Sequence, residues 1–242
     1  MAQNALTSRQ TQILKTIVDE YIATAIPVGS ASLDKKYNLG VSPATIRAEM
    51  VQLTKMKYLK QPHTSSGRVP TPTAMKFYIN QLMEEKQLGV AEEVKAKEEV
   101  WDVRGNFEEL INETTQALAN KTHSLVIAAT EDGRTYRAGM KNVFDNPEFD
   151  DLDVCQRLFS IIEETSRVHE LFFETLTGLS PVEVLFGSEL LWPMLDDLGM
   201  VATRFSIKGR QGAIGVIGPV RTTPSMIPSV RYFRSLIDEL MK

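Results

Sequence analysis

Apolar residues recur at helical spacing in the first part of the chain and predict three helices there. The first follows Thr7, which forms a capping box with Gln10, and its apolar positions continue as far as Ile22. Pro27 excludes the helical conformation just before it, so this helix must end near residue 25. A short second helix is predicted from Ser30, taken as its N-cap, to about residue 37.

The third predicted helix divides most clearly into an apolar and a polar face. Ser42 is its predicted N-cap, and three apolar residues recur at i, i+4 and i+7 as one buried stripe: Ile46, Met50 and Leu53. The opposite face is small and polar, with cations and no acid; it consists of Ala44, Thr45, Arg47, Ala48, Val51, Gln52 and Lys55. Such a face fits a DNA major groove, although a solvated helix surface has a similar composition.

Two short strands predicted over 58–61 and 68–70 form a hairpin after this helix. Gly67 ends the intervening loop and allows a positive φ there. The hairpin offers donors suited to phosphate oxygens or a minor groove, and these are Lys60, His63, Thr64, Ser65 and Arg68. A helix-turn-helix followed by such a hairpin is a winged helix, whereas an isolated hairpin of this composition would be an ordinary polar loop.

The remainder of the chain mixes helical and strand patterns. Residues 84–104 are highly charged and predict a solvated helical linker, in which Val94 and Trp101 lie a heptad apart. Further helices are predicted over 107–118, from 151 onward, over 190–198 and over 227–241; strands are predicted over 125–129, 134–144, 182–186, 201–207 and 213–217. This order predicts an α+β fold with an antiparallel sheet, and hence a winged helix-turn-helix domain over 1–87 and a second domain over 88–242.

The charge is divided unevenly between these two parts. The whole chain of 242 residues has a net charge of −4. Residues 1–87 contain 11 Lys and Arg against 6 Asp and Glu, whereas residues 88–242 contain 16 against 25. Between Lys35 and Lys76 there are 8 basic residues and a single acid, Glu49. A basic patch of this kind is expected of a surface that binds phosphates.

Several other classes of function are not favoured by the sequence. Cys155, the one cysteine, excludes an internal disulfide and is expected to be a core residue, and no metal or cofactor is predicted. Glycines 209, 212, 215 and 218 lack the spacing of a phosphate-binding loop, and the acidic residues of 145–153 lack the ligand order of a calcium loop. Since these motifs are not met, we expect no enzymatic activity. No apolar run is long enough to span a membrane, so we expect a cytoplasmic protein.

The N-terminal residues resemble a known family. The stretches LTSRQTQILKTIVDEYIATAIPVGSASLDKKYNLGVSPATIRAEM and PHTSSGRVPT resemble the DNA-binding domain of the heat-inducible transcription repressor family HrcA. RAGMKNVFDNPEFDD and GAIGVIGPVR resemble the second, GAF-like domain of the same repressors. Two departures are evident: Ala48 stands where the family usually has Asn, and only residues 131–133 stand where the family carries a long segment with an inserted dimerisation domain.

The resemblance implies a repressor of chaperone operons that binds an inverted-repeat operator as a homodimer. It also implies a GroEL-type chaperonin as a partner. In the second domain, the apolar faces of residues 107–118 and 227–240 are the expected dimer surfaces unless the domain's own core uses them. A small-molecule-responsive regulator, with a ligand-sensing second domain, is the alternative function.

Overall fold

The computed structural model describes residues 6–84, 86–192 and 195–240. Contacts between Cα atoms divide the chain into two compact units, an N-terminal unit that ends at Glu84 and a C-terminal unit from position 85 onward. The boundary predicted between residues 87 and 88 lies close to this division. In the parts of the chain that the structure describes, no helix has the length and apolar character needed to cross a membrane.

The N-terminal unit has the three helices and the hairpin that the sequence predicts, in that order, followed by a fourth helix. Helices α1 (Ser8–Thr24), α2 (Ser30–Tyr37) and α3 (Pro43–Lys55) are followed by strands β1 (Leu59–Lys60) and β2 (Val69–Pro70) and by helix α4 (Pro72–Phe77), which continues as a π-helical turn over Tyr78–Leu82. The two strands form an antiparallel hairpin. The capping box of Thr7 and Gln10 is present. The N-cap of α2 is Gly29, with Ser30 inside the helix, so the predicted cap at Ser30 is wrong by one residue.

Buried apolar side chains from the first three helices make much of the core of this unit. Leu14, Ile17, Leu33, Ile46 and Leu53 are fully excluded from solvent. The core extends to the end of the unit through the Tyr78 hydroxyl, which donates to Asp19 Oδ1 over 2.6 Å. Burial and this bond raise the pKa of Tyr78 well above its usual range.

The C-terminal unit begins with two helices that pack together, α5 (Val90–Trp101) and α6 (Phe107–Thr122). The prediction of a solvated linker over 84–104 is wrong for α5, because Ala96 and Val100 are buried and the helix also contacts the last helix, α9 (Thr223–Leu240). Helix α9 begins four residues before its predicted start at Ile227, and its predicted end, Met241, lies outside the described residues.

A five-stranded antiparallel sheet forms the centre of the C-terminal unit. Its strands are β3 (Leu125–Thr130), β4 (Thr135–Ala138), β5 (Glu183–Phe186), β6 (Leu198–Ile207) and β7 (Arg210–Pro219), in the spatial order β4-β3-β7-β6-β5. Strands β6 and β7 pair over ten residues each and are joined by Lys208 and Gly209, whose φ angles of 48° and 82° are typical of a type I′ hairpin turn. The predicted α+β fold with an antiparallel sheet is confirmed.

Both faces of this sheet are covered by helices. Helices α6 and α9 contact one face. On the other face, α7 (Leu152–Glu163), α8 (Thr165–Glu170) and the π-helical turn Leu171–Thr175 contribute to a core with Ile127, Met200 and Ile217. Cys155 belongs to this core, as predicted, whereas Leu152, expected on the same apolar side, is 69% exposed. Burial raises the pKa of the Cys155 thiol, which favours the unreactive protonated form.

The glycines of β7 allow large side chains to approach the strand. A Cβ atom at Gly212 would lie 2.4 Å from the Phe205 ring, and one at Gly218 would lie 2.7 Å from Met226. Strand packing therefore explains the regular glycine spacing. In the acidic stretch, Asp151 caps α7, and Glu148 forms a bidentate ion pair with Arg221 over 2.6 and 3.1 Å.

Two other predicted elements differ from the structure. The strand predicted over 134–144 ends at Ala138, because Gly139 has a φ of 74° and a 3-10 helix follows over Met140–Asp145. The helix predicted over 190–198 is wrong for the described part of that range. A 3-10 turn over Gly187–Leu190 ends at Leu191, which is left-handed with a φ of 57°, and Leu198 already belongs to β6.

The turn between β3 and β4 is short and held by ion pairs. The amide of Thr130 donates to the carbonyl of Arg134 over 3.0 Å, and the amide of Gly133 donates back to Thr130 over 2.9 Å. Glu108 of α6 pairs with both Arg134 and Arg210, at 2.5 and 3.1 Å. Strands β3 and β4 are therefore joined directly by residues 131–134.

Candidate nucleic-acid interface

Helix α3 begins with the cap that the sequence predicts. The Ser42 hydroxyl accepts from the amide of Thr45 over 3.2 Å, and the two hydroxyls lie 3.0 Å apart. Pro43 occupies the first turn, where a missing N–H has no cost. Ser42 is exposed and Thr45 half-buried, so both hydroxyls lie at the start of the polar face.

The two faces of α3 are divided as predicted. Ile46, Met50 and Leu53 are buried. The exposed residues of the opposite face are Ala44, Arg47, Ala48, Val51, Gln52 and Lys55. This face presents two cations among small and amide side chains, which permits a close approach to base edges.

The acid of α3 is turned away from this face and held by α1. Glu49 accepts from Gln10 Nε2 over 3.1 Å and lies 3.9 Å from Arg9 Nη1. Its side chain is only 20% exposed. The positive charge of Arg47 and Lys55 is therefore not offset on their own face. Sequence spacing placed Glu49 outside that face but could not identify its partners.

The hairpin of β1 and β2, with its loop over 61–68, is called the wing below. Gln61 Nε2 donates to the carbonyls of Thr64 and Ser66 over 2.8 and 3.0 Å. The Ser66 hydroxyl accepts from the amide of His63 over 3.0 Å and donates to its carbonyl over 2.7 Å. The loop is thereby ordered from within. Gln61 and Ser66 are positioning residues that the sequence did not single out.

The predicted donors of the wing differ in their exposure to solvent. His63, Thr64 and Ser65 are exposed at the tip, and Lys60 is exposed on β1. Arg68 is half-buried and lies against α3, where its Nε donates to Thr54 Oγ1 over 3.2 Å. Thr54 in turn donates to the carbonyl of Met50 over 2.8 Å. Arg68 thus joins the wing to the third helix.

The root of the wing is also fastened to the turn between α1 and α2. Val28 and Arg68 exchange two backbone hydrogen bonds, each of 2.8 Å. A Cβ atom at Gly67 would lie 2.5 Å from the backbone carbonyl of Val28. Gly67 does not use the positive φ that glycine allows, since it is not among the residues with positive φ. Glycine is required here because the two backbones approach each other so closely.

Some of the basic residues counted from the sequence have structural partners. Lys36 Nζ lies 2.6 Å from Glu20 Oε2, and the Tyr37 hydroxyl donates to the same carboxylate oxygen. These bonds lower the pKa of Glu20. They join α2 to α1, so Lys36 stabilises the fold of the N-terminal unit, whereas Arg47, Lys55 and Lys57 are exposed around α3.

The enclosed cavity of the C-terminal unit beside Trp192 is small. A cavity of about 70 Å³ is lined by Arg167, Glu170, Leu171, Leu190, Leu191 and Trp192. Sites for metabolite-sized ligands usually have roughly 300–1,000 Å³. No group of three or more His, Cys, Asp or Glu residues suited to a metal ion occurs within the described ranges.

Comparisons with known proteins agree with this description. A family model described as the HrcA protein C terminal domain matches residues 54–223. A heat-inducible transcription repressor HrcA from Carboxydothermus hydrogenoformans is 26% identical over 335 aligned positions, which cover 96% of this chain and 97% of the relative. Its counterpart from Symbiobacterium thermophilum is 42% identical over 115 residues, which cover 48% of this chain and 34% of the relative. Because 335 positions exceed the 242 residues of this chain, the first relative has segments without a counterpart here.

A crystal structure described as that of a hypothetical protein has the same fold, with a TM-score of 0.73 at 18% identity, and the match covers 98% of this chain and 97% of the other. Fold and comparisons together define the chain as a transcription regulator. More particularly, it belongs to the HrcA family, whose matched relatives are heat-inducible transcription repressors.

Proposed function

We propose that this chain represses heat-shock operons by binding an inverted-repeat operator as a homodimer, with the N-terminal unit as its winged-helix DNA-binding domain. The observation that carries the proposal is the exposed face of α3, where Arg47 and Lys55 stand among small residues and Glu49 is withdrawn. In a helix-turn-helix protein the corresponding helix enters the major groove.

Within this proposal, the surroundings of each side chain decide whether it contacts a base edge or a phosphate. Arg47 is flanked by Ala44 and Ala48, so it can approach a base edge and bind guanine with two donors. Lys55 and Lys60 contact phosphates at the end of α3 and on the wing. His63, Thr64 and Ser65 at the wing tip contact phosphates or the minor groove. Arg68 holds the wing against α3 and takes part in phosphate binding only through its remaining donors.

The proposal is tested by footprinting the full-length protein on the chaperone promoters of its own genome. Protection of an inverted repeat, with half-sites one or more helical turns apart, supports it. Removing Lys55 as Lys55→Ala should weaken binding to all sequences and reduce the salt slope of binding by about one counterion. Protein that binds these promoters no better than random DNA contradicts the proposal.

The alternative of a ligand-sensing C-terminal unit receives no support from the cavity beside Trp192, which is too small for most metabolites. A GroEL-type chaperonin remains a predicted partner, and the basis for it is the family resemblance.

A further inference from the structure

Helix α5 is firmly attached to the C-terminal unit by one of its faces. Ala96 and Val100 are buried, and the Tyr232 hydroxyl of α9 donates to the carbonyl of Glu93 over 2.7 Å. Lys97 pairs with Glu239 of α9 over 2.6 Å. These contacts give α5 a fixed orientation on the unit, so its remaining surface is a defined one.

A second face of α5 is apolar and exposed. Val90, Val94 and Trp101 are 79%, 51% and 43% exposed, and their spacing of four and seven residues places them in one stripe. A shallow groove of about 530 Å³ runs along this stripe and is lined by Val94, Lys97, Glu98, Trp101 and Asp102. Guanidinium and ammonium groups flank the indole, with Arg104 4.4 Å and Lys97 5.4 Å from the ring centre. We call this stripe and groove the α5 face.

The surfaces that the sequence suggested for dimerisation are not available. On α6, Leu110, Ile111 and Leu118 are fully buried in the unit's own core. On α9, Val230 and Phe233 are equally buried. The apolar faces of 107–118 and 227–240 are therefore used by the domain's own core, which is the alternative that accompanied their prediction as dimer surfaces. A dimer held by the C-terminal unit needs another surface.

We propose that the α5 face is the interface between two copies of this chain, with the two α5 helices antiparallel. This inference rests on the proposed function, since it supplies the dimer that the inverted repeat requires. In a twofold interface the same patch must match itself. The midpoint of residues 94 and 101 coincides with that of residues 97 and 98. A twofold axis there brings Val94 level with Trp101 of the other copy and Lys97 level with its Glu98.

This placement gives the apolar residues of the face an apolar partner and the charged residues a partner of opposite charge. Val94 packs near the partner's indole, which keeps its cation contacts, and unlike charges stand level at the centre. A helix of 12 residues is short, however, so its buried area lies at the low end for protein interfaces. Dimerisation in free solution is therefore weak and depends on concentration, and binding to both half-sites strengthens it.

Cross-linking of the full-length protein tests the arrangement. In the antiparallel pair, the two thiols of Glu98→Cys are offset from each other by one residue along the helix axis. Those of Val94→Cys are offset by seven residues, or about 10 Å. With a bis-maleimide shorter than that offset, Glu98→Cys should form covalent dimers and Val94→Cys should not. The unaltered protein is the control, since the thiol of Cys155 is buried. Dimers from both variants would mean parallel helices, and dimers from neither would place the interface elsewhere; either result overturns the proposal.

A charge placed in the α5 face gives an independent measurement. Val94→Glu should shift the monomer–dimer equilibrium toward monomer in sedimentation experiments and leave the circular dichroism spectrum unchanged, because Val94 is half-exposed. The matched control is Leu179→Glu, at a residue 91% exposed on the same unit. Equal dimerisation in Val94→Glu and unaltered protein would refute the α5 interface. If the unaltered protein binds its inverted repeat in that case, only this inference fails; if it does not bind, the proposed function fails.

Discussion

At the scale of single residues, Arg47 is the side chain on which operator recognition should depend most. It is exposed on α3, and its neighbours Ala44 and Ala48 leave room for a base edge. Replacing it as Arg47→Ala should weaken operator binding by about 1–3 kcal/mol and relax the preference at one base pair. Binding isotherms on operators changed one base pair at a time measure both effects.

The control for this variant is Lys95→Ala, which also removes one exposed cation but from the C-terminal unit. It should leave operator affinity within the error of the measurement. Unchanged affinity in Arg47→Ala, with an intact circular dichroism spectrum, would show that Arg47 has no contact with the operator.

At the scale of elements, the position of the wing against the α1–α2 turn depends on Gly67. An added methyl group would meet the backbone of Val28, and neither backbone can move without breaking the paired 2.8 Å hydrogen bonds between Val28 and Arg68. Gly67→Ala should therefore lower the free energy of unfolding by about 1–3 kcal/mol, as overpacking does, and also weaken operator binding by displacing the wing. Urea denaturation and operator titration measure the two effects.

Gly105→Ala provides the matched control, because nothing lies within 4 Å of a Cβ atom there. It should be neutral or stabilise the protein by about 0.4–1 kcal/mol through the unfolded state. If Gly67→Ala behaves like Gly105→Ala, the contact between the wing and the α1–α2 turn does not constrain the wing.

Elements with strong periodicity or cap residues could be predicted from the sequence, and those set by close backbone contacts could not. Ser42, Ile46 and Met50 defined α3 because capping and burial depend on local spacing. For α5, the buried residues are Ala96 and Val100 among many charged ones, so its packed face produced only a weak pattern. The role of Gly67 depends on Val28, which is remote in sequence, and no local pattern indicates such a contact.

The candidate site was predictable to a similar degree. The exposed face of α3 follows from the same periodicity that gives its buried stripe. The attachment of Arg68 to Thr54 depends on how the hairpin lies against α3, so the sequence could identify this cation but not its partner. The partners of Glu49 could not be predicted for the same reason, since Arg9 and Gln10 belong to another helix.

At the scale of the whole molecule, operator affinity should depend on dimerisation as well as on α3. Two linked reading helices bind an inverted repeat far more tightly than one, because the second half-site is bound at high effective concentration. Val94→Glu should therefore lose roughly a hundredfold in affinity for the full inverted repeat and almost nothing for an isolated half-site. Titrations on the two DNA duplexes separate these effects, and an equal loss on both would indicate damage to the N-terminal unit.

The order of strands in the sheet also has a consequence for how the C-terminal unit folds. Strands β5, β6 and β7 are neighbours in sequence and in space, as are β3 and β4, so each group forms from contacts that are close along the chain. The two groups meet only through β3 and β7, where Leu125 pairs with Ile217 and Thr130 with Gly212. Pairings across such a separation are slow, since the chain between them must be ordered first. We therefore expect the β3–β7 junction to set the folding rate, with the outer strands mainly affecting the rate of unfolding.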